Sequence, residues 1–386
     1  MLIHHHHHPN LKQFRIKELN DNADYYGGIG LVHVVDHTYV VALNLGEDPV
    51  TLVYLVFDTG SAFTWVQHAD CLNCLEAEPP VVGQYNRSKT RRYNRCNVRS
   101  DCALWDLIPG NNCGGLGICT YSTSYGDSTK STGFLCRESV STFKKTIILG
   151  IGLDNKCLPT PTSCFQGMAG FGAGLVSIPY QLGKTRWGFC LPPNASMDGS
   201  FMMDDVAQFP GEYKSARLYV HSEYYMVNLS NIFVQGFGNL NWGHDIQMIV
   251  VDTGTILTHM RSSLLINLFY SIQRVVEQKY NAQPTPSPFT KLELCYAEPY
   301  PLEVSIQVGE AYINITNPEL LWIRLSGVYC LAFVRAIGHE NILGSHHFKG
   351  YMVVYDTSDA NNMFLSISSS PLNDAQEAEA CLSPII

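Results

Sequence analysis

"VFDTGSAFTW", residues Val56 to Trp65, decides how the chain is read, because a near copy, "VVDTGTILTH", runs from Val250 to His259. In both, an apolar run ends in Asp-Thr-Gly and a hydroxyl residue: Asp58-Thr59-Gly60-Ser61 and Asp252-Thr253-Gly254-Thr255. The two aspartates are 194 residues apart, about half of a 386-residue chain. A repeat of that period implies two related structural units.

The surroundings widen the repeat. "TYVVALNLGEDPVTLVYLVFD" reads as strand, turn, strand, with Gly46-Glu47-Asp48-Pro49 as the turn. "YYMVNLSNIFVQG" and "DIQMIVVD" read as a second hairpin with a longer connection. After each copy comes an apolar pair running into glycine, "GMAGFG" (Gly167 to Gly172) and "NILG" (Asn341 to Gly344). The spacing of Leu264, Leu265, Leu268, Ile272, Val275 and Val276 predicts a helix, ended by the proline run Pro284 to Pro288. "GSHHFKG" (Gly344 to Gly350) reads as a solvated loop, and Cys71 to Cys119 as a disulfide-stapled insertion.

Composition bounds the rest. The chain is 46% hydrophobic, enough for a sizeable core, and only 15% charged, against roughly 25% in ordinary soluble domains. So few ionised groups suit an acidic workplace. A formal net charge of −9 without a basic face excludes nucleic acid as partner. No apolar run approaches the about 20 residues of a membrane-spanning helix. Of the 13 cysteines only Cys71 and Cys74 form a C-x-x-C, so neither a zinc ribbon nor another metal site is expected. The cysteines read as a disulfide framework made in an oxidising compartment. The sequons at Asn86, Asn194, Asn228 and Asn314 fit a glycoprotein of the secretory route. "MLIHHHHHPN" has no signal-peptide core, so residues 1–29 read as a tag or polar tail. With only 57 residues before Asp58, the chain reads as a mature or truncated form.

The repeated motif has a physical use. Each apolar strand buries its end and holds the Asp rigidly. Gly60 and Gly254 permit a tight turn whose N–H groups reach the carboxylate, and Ser61 and Thr255 can add a hydroxyl. If the copies face each other, two carboxylates meet. At ~3 Å and an effective dielectric of ~20 their repulsion is ~5.5 kcal/mol, about four pKa units. Such a pair keeps one proton over a broad pH range and titrates as a unit. One carboxylate can then take a proton from water while the other donates to a carbonyl oxygen, which is general acid–base amide hydrolysis without metal or cofactor.

These motifs, with "SYGDSTKSTGFL" (Ser124 to Leu135), resemble the pepsin family of aspartic proteases from about Thr38 to the C-terminus. The resemblance implies a mostly β, bilobal fold, two related lobes with a cleft between them, divided as 30–189 and 190–386. It implies Asp58 and Asp252 as the catalytic pair, Tyr125 and Gly126 on a flap that covers bound peptide, and Trp65 as partner of the tyrosine. The cysteine-rich insertion, "GFCLPP", "LELCYAEP" and "VYCLAF" resemble the plant nepenthesin-like branch. That branch implies disulfides Cys295–Cys330 and Cys190–Cys381, and leaves Cys136, Cys157 and Cys164 without assigned partners. The implied activity is acid endopeptidase action on peptides by a monomer, secreted or vacuolar. The alternative is a catalytically silent binding protein on the same fold, such as a glycosidase inhibitor. Both aspartates and the flap tyrosine stand, which favours the enzyme.

Overall fold

Each D-T-G motif ends a strand that lies between two neighbours, and the arrangement occurs twice. Thr51–Asp58 pairs antiparallel with Thr38–Leu45 and parallel with Gly167–Gly170, which puts Gly170 opposite Asp58. Gln247–Asp252 pairs antiparallel with Tyr224–Val234 and parallel with Asn341–Gly344, which puts Gly344 opposite Asp252. The hydrogen bonds beyond the strands repeat as well. Gly170 N–H donates to Thr64 Oγ1 at 3.0 Å and Gly344 N–H to Thr258 Oγ1 at 3.2 Å.

The computed structural model describes residues 29–35, 38–73, 85, 92–93, 108, 110, 112–113, 117–156, 165, 167–191, 199–204, 207, 211–242, 246–338, 340–369 and 371. Residues 1–28, most of the stretch between Cys71 and Cys119, the sequons at Asn86 and Asn194, and Cys157, Cys164 and Cys381 lie outside them. The fold is mostly β, in two sheet-rich lobes. Among the described residues no helix is long and apolar enough to cross a membrane.

A six-stranded antiparallel layer joins the halves of the chain. Its order is Ile29–Val35, Gly199–Met203, Arg186–Cys190, Met352–Asp356, Phe364–Ser368 and Tyr213–His221. Ile29–Val35 and Arg186–Cys190 come from the first half of the chain and the other four strands from the second. Aromatic side chains fill the space between this layer and the motif strands. Phe57, immediately before Asp58, meets Phe171 at 4.7 Å and Phe189 at 5.4 Å between ring centroids, while Trp187 stacks on Tyr355 at 4.3 Å. Rings of this size carry much of a core's buried area.

A second junction lies directly at the motifs. Thr59 N–H donates to Thr253 Oγ1 at 3.1 Å, and Thr253 N–H to Thr59 Oγ1 at 3.0 Å. Each hydroxyl in turn donates to a carbonyl of the opposite strand: Thr59 to Val251 O at 2.9 Å and Thr253 to Phe57 O at 2.6 Å. Both threonines are buried.

The helix occupies Ser262–Tyr280, and its six periodic apolar residues are all buried. It stops before the prolines. Asn281 takes the left-handed conformation at φ 53°, and its N–H caps Glu277 O at 3.0 Å. The reading of "GSHHFKG" as a solvated loop is corrected. Ser345–Phe348 is a short 3-10 turn in which His346 and His347 are buried, 4% and 0% exposed. His347 stacks on Phe333 at 4.5 Å and shares a 2.6 Å hydrogen bond between Nδ1 and Thr258 Oγ1. Burial, followed by the neighbouring His346 and Lys349, pushes the His347 pKa well below its ordinary value; a backbone bond at Leu320 opposes this.

Two outcomes are expected. Thr59→Val keeps the shape but leaves the Thr253 N–H and Val251 carbonyl buried without these partners. It should destabilise the chain by about 2–4 kcal/mol in urea unfolding; a change below about 0.5 kcal/mol would show that the threonine junction holds little. Second, the unfolded imidazole of residue 347 takes a proton below its ordinary value of 6.5 and the folded one does not. Its contribution is therefore complete above pH 6.5 and is lost as pH falls, by up to about 1.4 kcal/mol per pH unit. Melting between pH 7 and 5 should show a fall that His347→Gln flattens; an unchanged slope would exclude His347 as its source.

Candidate active site

Buried apolar residues, Leu55, Val56 and Phe57 in one copy and Ile249, Val250 and Val251 in the other, fix the direction in which Asp58 and Asp252 leave their strands. The turns that follow treat both carboxylates alike. Gly60 N–H donates to Asp58 Oδ1 at 2.8 Å, and Gly254 N–H to Asp252 Oδ1 at 2.8 Å. The Ser61 hydroxyl donates to Asp58 Oδ2, and that of Thr255 to Asp252 Oδ2 at 2.6 Å. Thr255 N–H adds a 3.3 Å bond to Asp252 Oδ1.

The two turns are in mutual contact. A Cβ on Gly60 would lie 2.4 Å from Asp252 Cγ, and one on Gly254 would lie 2.5 Å from Asp58 Oδ1. Any side chain at either position would displace the opposite carboxylate, so glycine here serves close approach. The two carboxylates are close enough for the charge of Asp252 to act on Asp58. Their settings differ, since Asp58 is buried and Asp252 half-buried. Burial, then the charge of Asp252, pushes Asp58 well above the usual carboxylate range, against the opposing pull of the Ser61 and Gly60 bonds.

Tyr125 begins the turn between Cys119–Ser124 and Lys130–Val140. Its N–H donates to Thr129 O and its carbonyl accepts from Ser128 N–H, both at 2.9 Å. The left-handed residue of this turn is Ser128, at φ 70°, and Gly126 is exposed with open space beside it. Asp127 fixes the turn by accepting from the N–H and the hydroxyl of Thr129, each at 2.8 Å. Trp65 is fully buried, and its indole N–H donates to the Tyr125 hydroxyl at 2.9 Å. Burial first, then the charge at Asp58, holds that hydroxyl well above its ordinary pKa, so it remains a proton donor.

Asp58, Asp252, Ser61, Thr255, Gly60, Gly254, Tyr125 and Trp65 therefore come together; Gly126 adds no contact. Sequence reading missed Thr59, Thr253, Asp127, Thr129 and Glu223, whose carboxylate accepts from Ala62 N–H at 3.1 Å. The threonines carried a signal, since the same residue stands at the same place in both motifs. Among the described residues no three His, Cys, Asp or Glu are grouped to hold a metal ion. Cys295 and Cys330 are joined by a disulfide, and Cys190 is disulfide-bonded. Cys381, its expected partner, lies outside the described residues. Cys136 is a buried thiol outside any disulfide.

Residues 39–203 match the family model described as xylanase inhibitor N-terminal, and residues 224–365 the one described as xylanase inhibitor C-terminal. The chain is 25% identical over 358 residues to aspartyl protease family protein 2 of Arabidopsis thaliana, covering 83% of this chain and 69% of that one. It is 24% identical over 358 residues to aspartic proteinase nepenthesin-1 of Nepenthes gracilis, covering 87% and 79%. Among solved structures, basic 7S globulin from soybean superposes with a TM-score of 0.66 at 18% identity, covering 89% of this chain and 97% of that one. Conglutin gamma, a basic 7S globulin from lupine seeds, gives 0.67 at 17%, covering 92% and 97%. The paired motifs, the shared fold and the two adjoining family matches make this chain a member of the pepsin-like aspartic protease family.

Proposed function

We propose that the chain is an aspartic endopeptidase that hydrolyses peptide bonds at acidic pH through Asp58 and Asp252. The observation that carries the reading is the reciprocal approach of the two turns, each glycine against the other's carboxylate. Between them the carboxylates keep one proton. One takes a proton from water, which attacks the scissile carbonyl, while the other donates to the carbonyl oxygen. Ser61 and Thr255 orient the carboxylates, and Tyr125, held by Trp65, closes over the peptide. The enzyme acts without cofactor, as a monomer. The disulfide Cys295–Cys330 and the disulfide-bonded Cys71, Cys119 and Cys190 support a secretory-pathway protein, extracellular or vacuolar.

The description of the matched family models favours one other reading, a pepsin-like protein that binds and inhibits glycosidases. Binding alone gives no role to a hydroxyl and an N–H directed at each carboxylate.

Cleavage of acid-denatured haemoglobin across pH 3 to 7 separates the two. Activity should be highest at the acid end and fall toward neutrality as the shared proton is lost. Asp58→Asn and Asp252→Asn should each lower it by about 10³-fold or more. Folded parent protein without activity would support the binding protein instead.

Asp58→Asn should also raise the melting temperature at neutral pH. A folded-state pKa raised above the unfolded 3.8 gives stability that is present at low pH and lost as pH rises through the folded value. The gain of the variant should shrink as pH falls; a gain independent of pH would mean that the Asp58 charge is not its origin.

A further inference from the structure

Glu223 lies outside both repeated motifs and outside the flap, yet it reaches the segment that directly follows Ser61. It follows Ser222, which turns the chain at φ 57° between Tyr213–His221 and Tyr224–Val234. These strands belong to the second half of the chain, but the contacts of Glu223 are with the first. Its carbonyl accepts from Ala173 N–H at 2.8 Å, and its Oε2 accepts from Ala62 N–H at 3.1 Å. Ala62 directly follows Ser61, whose hydroxyl is on Asp58. The side chain is therefore anchored one residue from the reacting groups and is half-buried there.

Among the described residues only one of the two carboxylate oxygens is used. Among the described residues Oε1 has no hydrogen-bond partner, and no Lys, Arg or His pairs with Glu223. The charge nevertheless acts on the cleft. It is felt at the hydroxyls of Tyr125 and Tyr224, both of which also feel Asp58. The bond to Ala62 needs only an acceptor oxygen, which a glutamine would supply equally well. The negative charge is thus surplus to the structural task.

We propose that Glu223 is a specificity-determining residue that selects peptides carrying a Lys or Arg side chain beside the bond to be cut. A peptide lying in the cleft removes water from this carboxylate. An apolar side chain would leave the charge desolvated and without a counter-ion, whereas a basic one supplies both charge and donors. The same residue therefore attracts one class of peptide and rejects another. The proposal rests on the proteolytic reading.

The test uses peptides in which an uncleavable hydroxyethylene group replaces the scissile amide, made with either Lys or norleucine flanking it. Their dissociation constants are measured by fluorescence anisotropy at pH 6 for the parent and for Glu223→Gln, which keeps an acceptor for Ala62. The Lys form should bind the parent about five-fold more tightly than the norleucine form, and the ratio should fall to about one in the variant. A ratio equal in both proteins, no preference in the parent, or binding of neither peptide overturns the proposal. Cleavage of the matching amide peptides is scored separately. Selective binding without cleavage sinks the proteolytic reading and leaves the selection by Glu223 intact; cleavage without selection does the reverse.

Discussion

The arrangement of the cleft depends on two buried threonines that share their hydrogen bonds. Thr59 and Thr253 each give an N–H to the other's hydroxyl, and each hydroxyl gives its proton to the strand that carries the opposite aspartate. Like charges held close repel by several kcal/mol even with generous screening. Two carboxylates on independent lobes would relieve that repulsion by moving apart. The threonine junction removes this freedom, because its bonds close only when both turns are in register. Gly60 and Gly254 then make the closeness sterically possible. Thr59 and Thr253 accept no bond from the carboxylates, yet they set how closely the two turns approach.

Two buried titratable groups respond to pH in opposite directions. Asp58 holds a proton more firmly in the folded state than in the unfolded one, and His347 holds one less firmly. Acid therefore relieves the first and penalises the second. Asp58 lies at the end of one motif strand, and His347 just beyond the apolar-Gly strand that flanks the other. The same acidification therefore eases the Asp58 carboxyl in one half of the fold and works against the buried His347 imidazole in the other.

Much of this was legible in the chain. The D-T-G motifs, their hairpins and the apolar-Gly elements are local patterns repeated at one period, and a repeated local pattern survives translation into three dimensions. The apolar face of Ser262–Tyr280 was legible for the same reason, although its end was set by Asn281 ahead of the prolines. What stayed hidden were relations between distant residues. The partner of Thr59 lies 194 residues away. His346 and His347 looked polar and therefore exposed, but Phe333 and Thr258 are brought over His347 by separate strands, and His346 packs edge-on to His347. Glu223 carries no signal in the sequence, because Ala62 and Ala173 meet it only after the halves have joined.

The fold alone is compatible with binding as well as with catalysis, and the two differ in what they require of the site. A binding protein of this architecture needs the six-stranded layer, the aromatic core and the threonine junction. It does not need two carboxyls held this close, and it would be more stable without them, since asparagine at either position removes the repulsion and keeps the hydrogen-bonding shape. Nor does it need Trp65 to hold a tyrosine hydroxyl near Asp58. A destabilising arrangement kept with matching donors on both carboxylates is what the proposed chemistry, which uses a shared proton, accounts for. Hydrolysis of an amide uses it directly, by giving the proton to the carbonyl oxygen as water is activated on the other side.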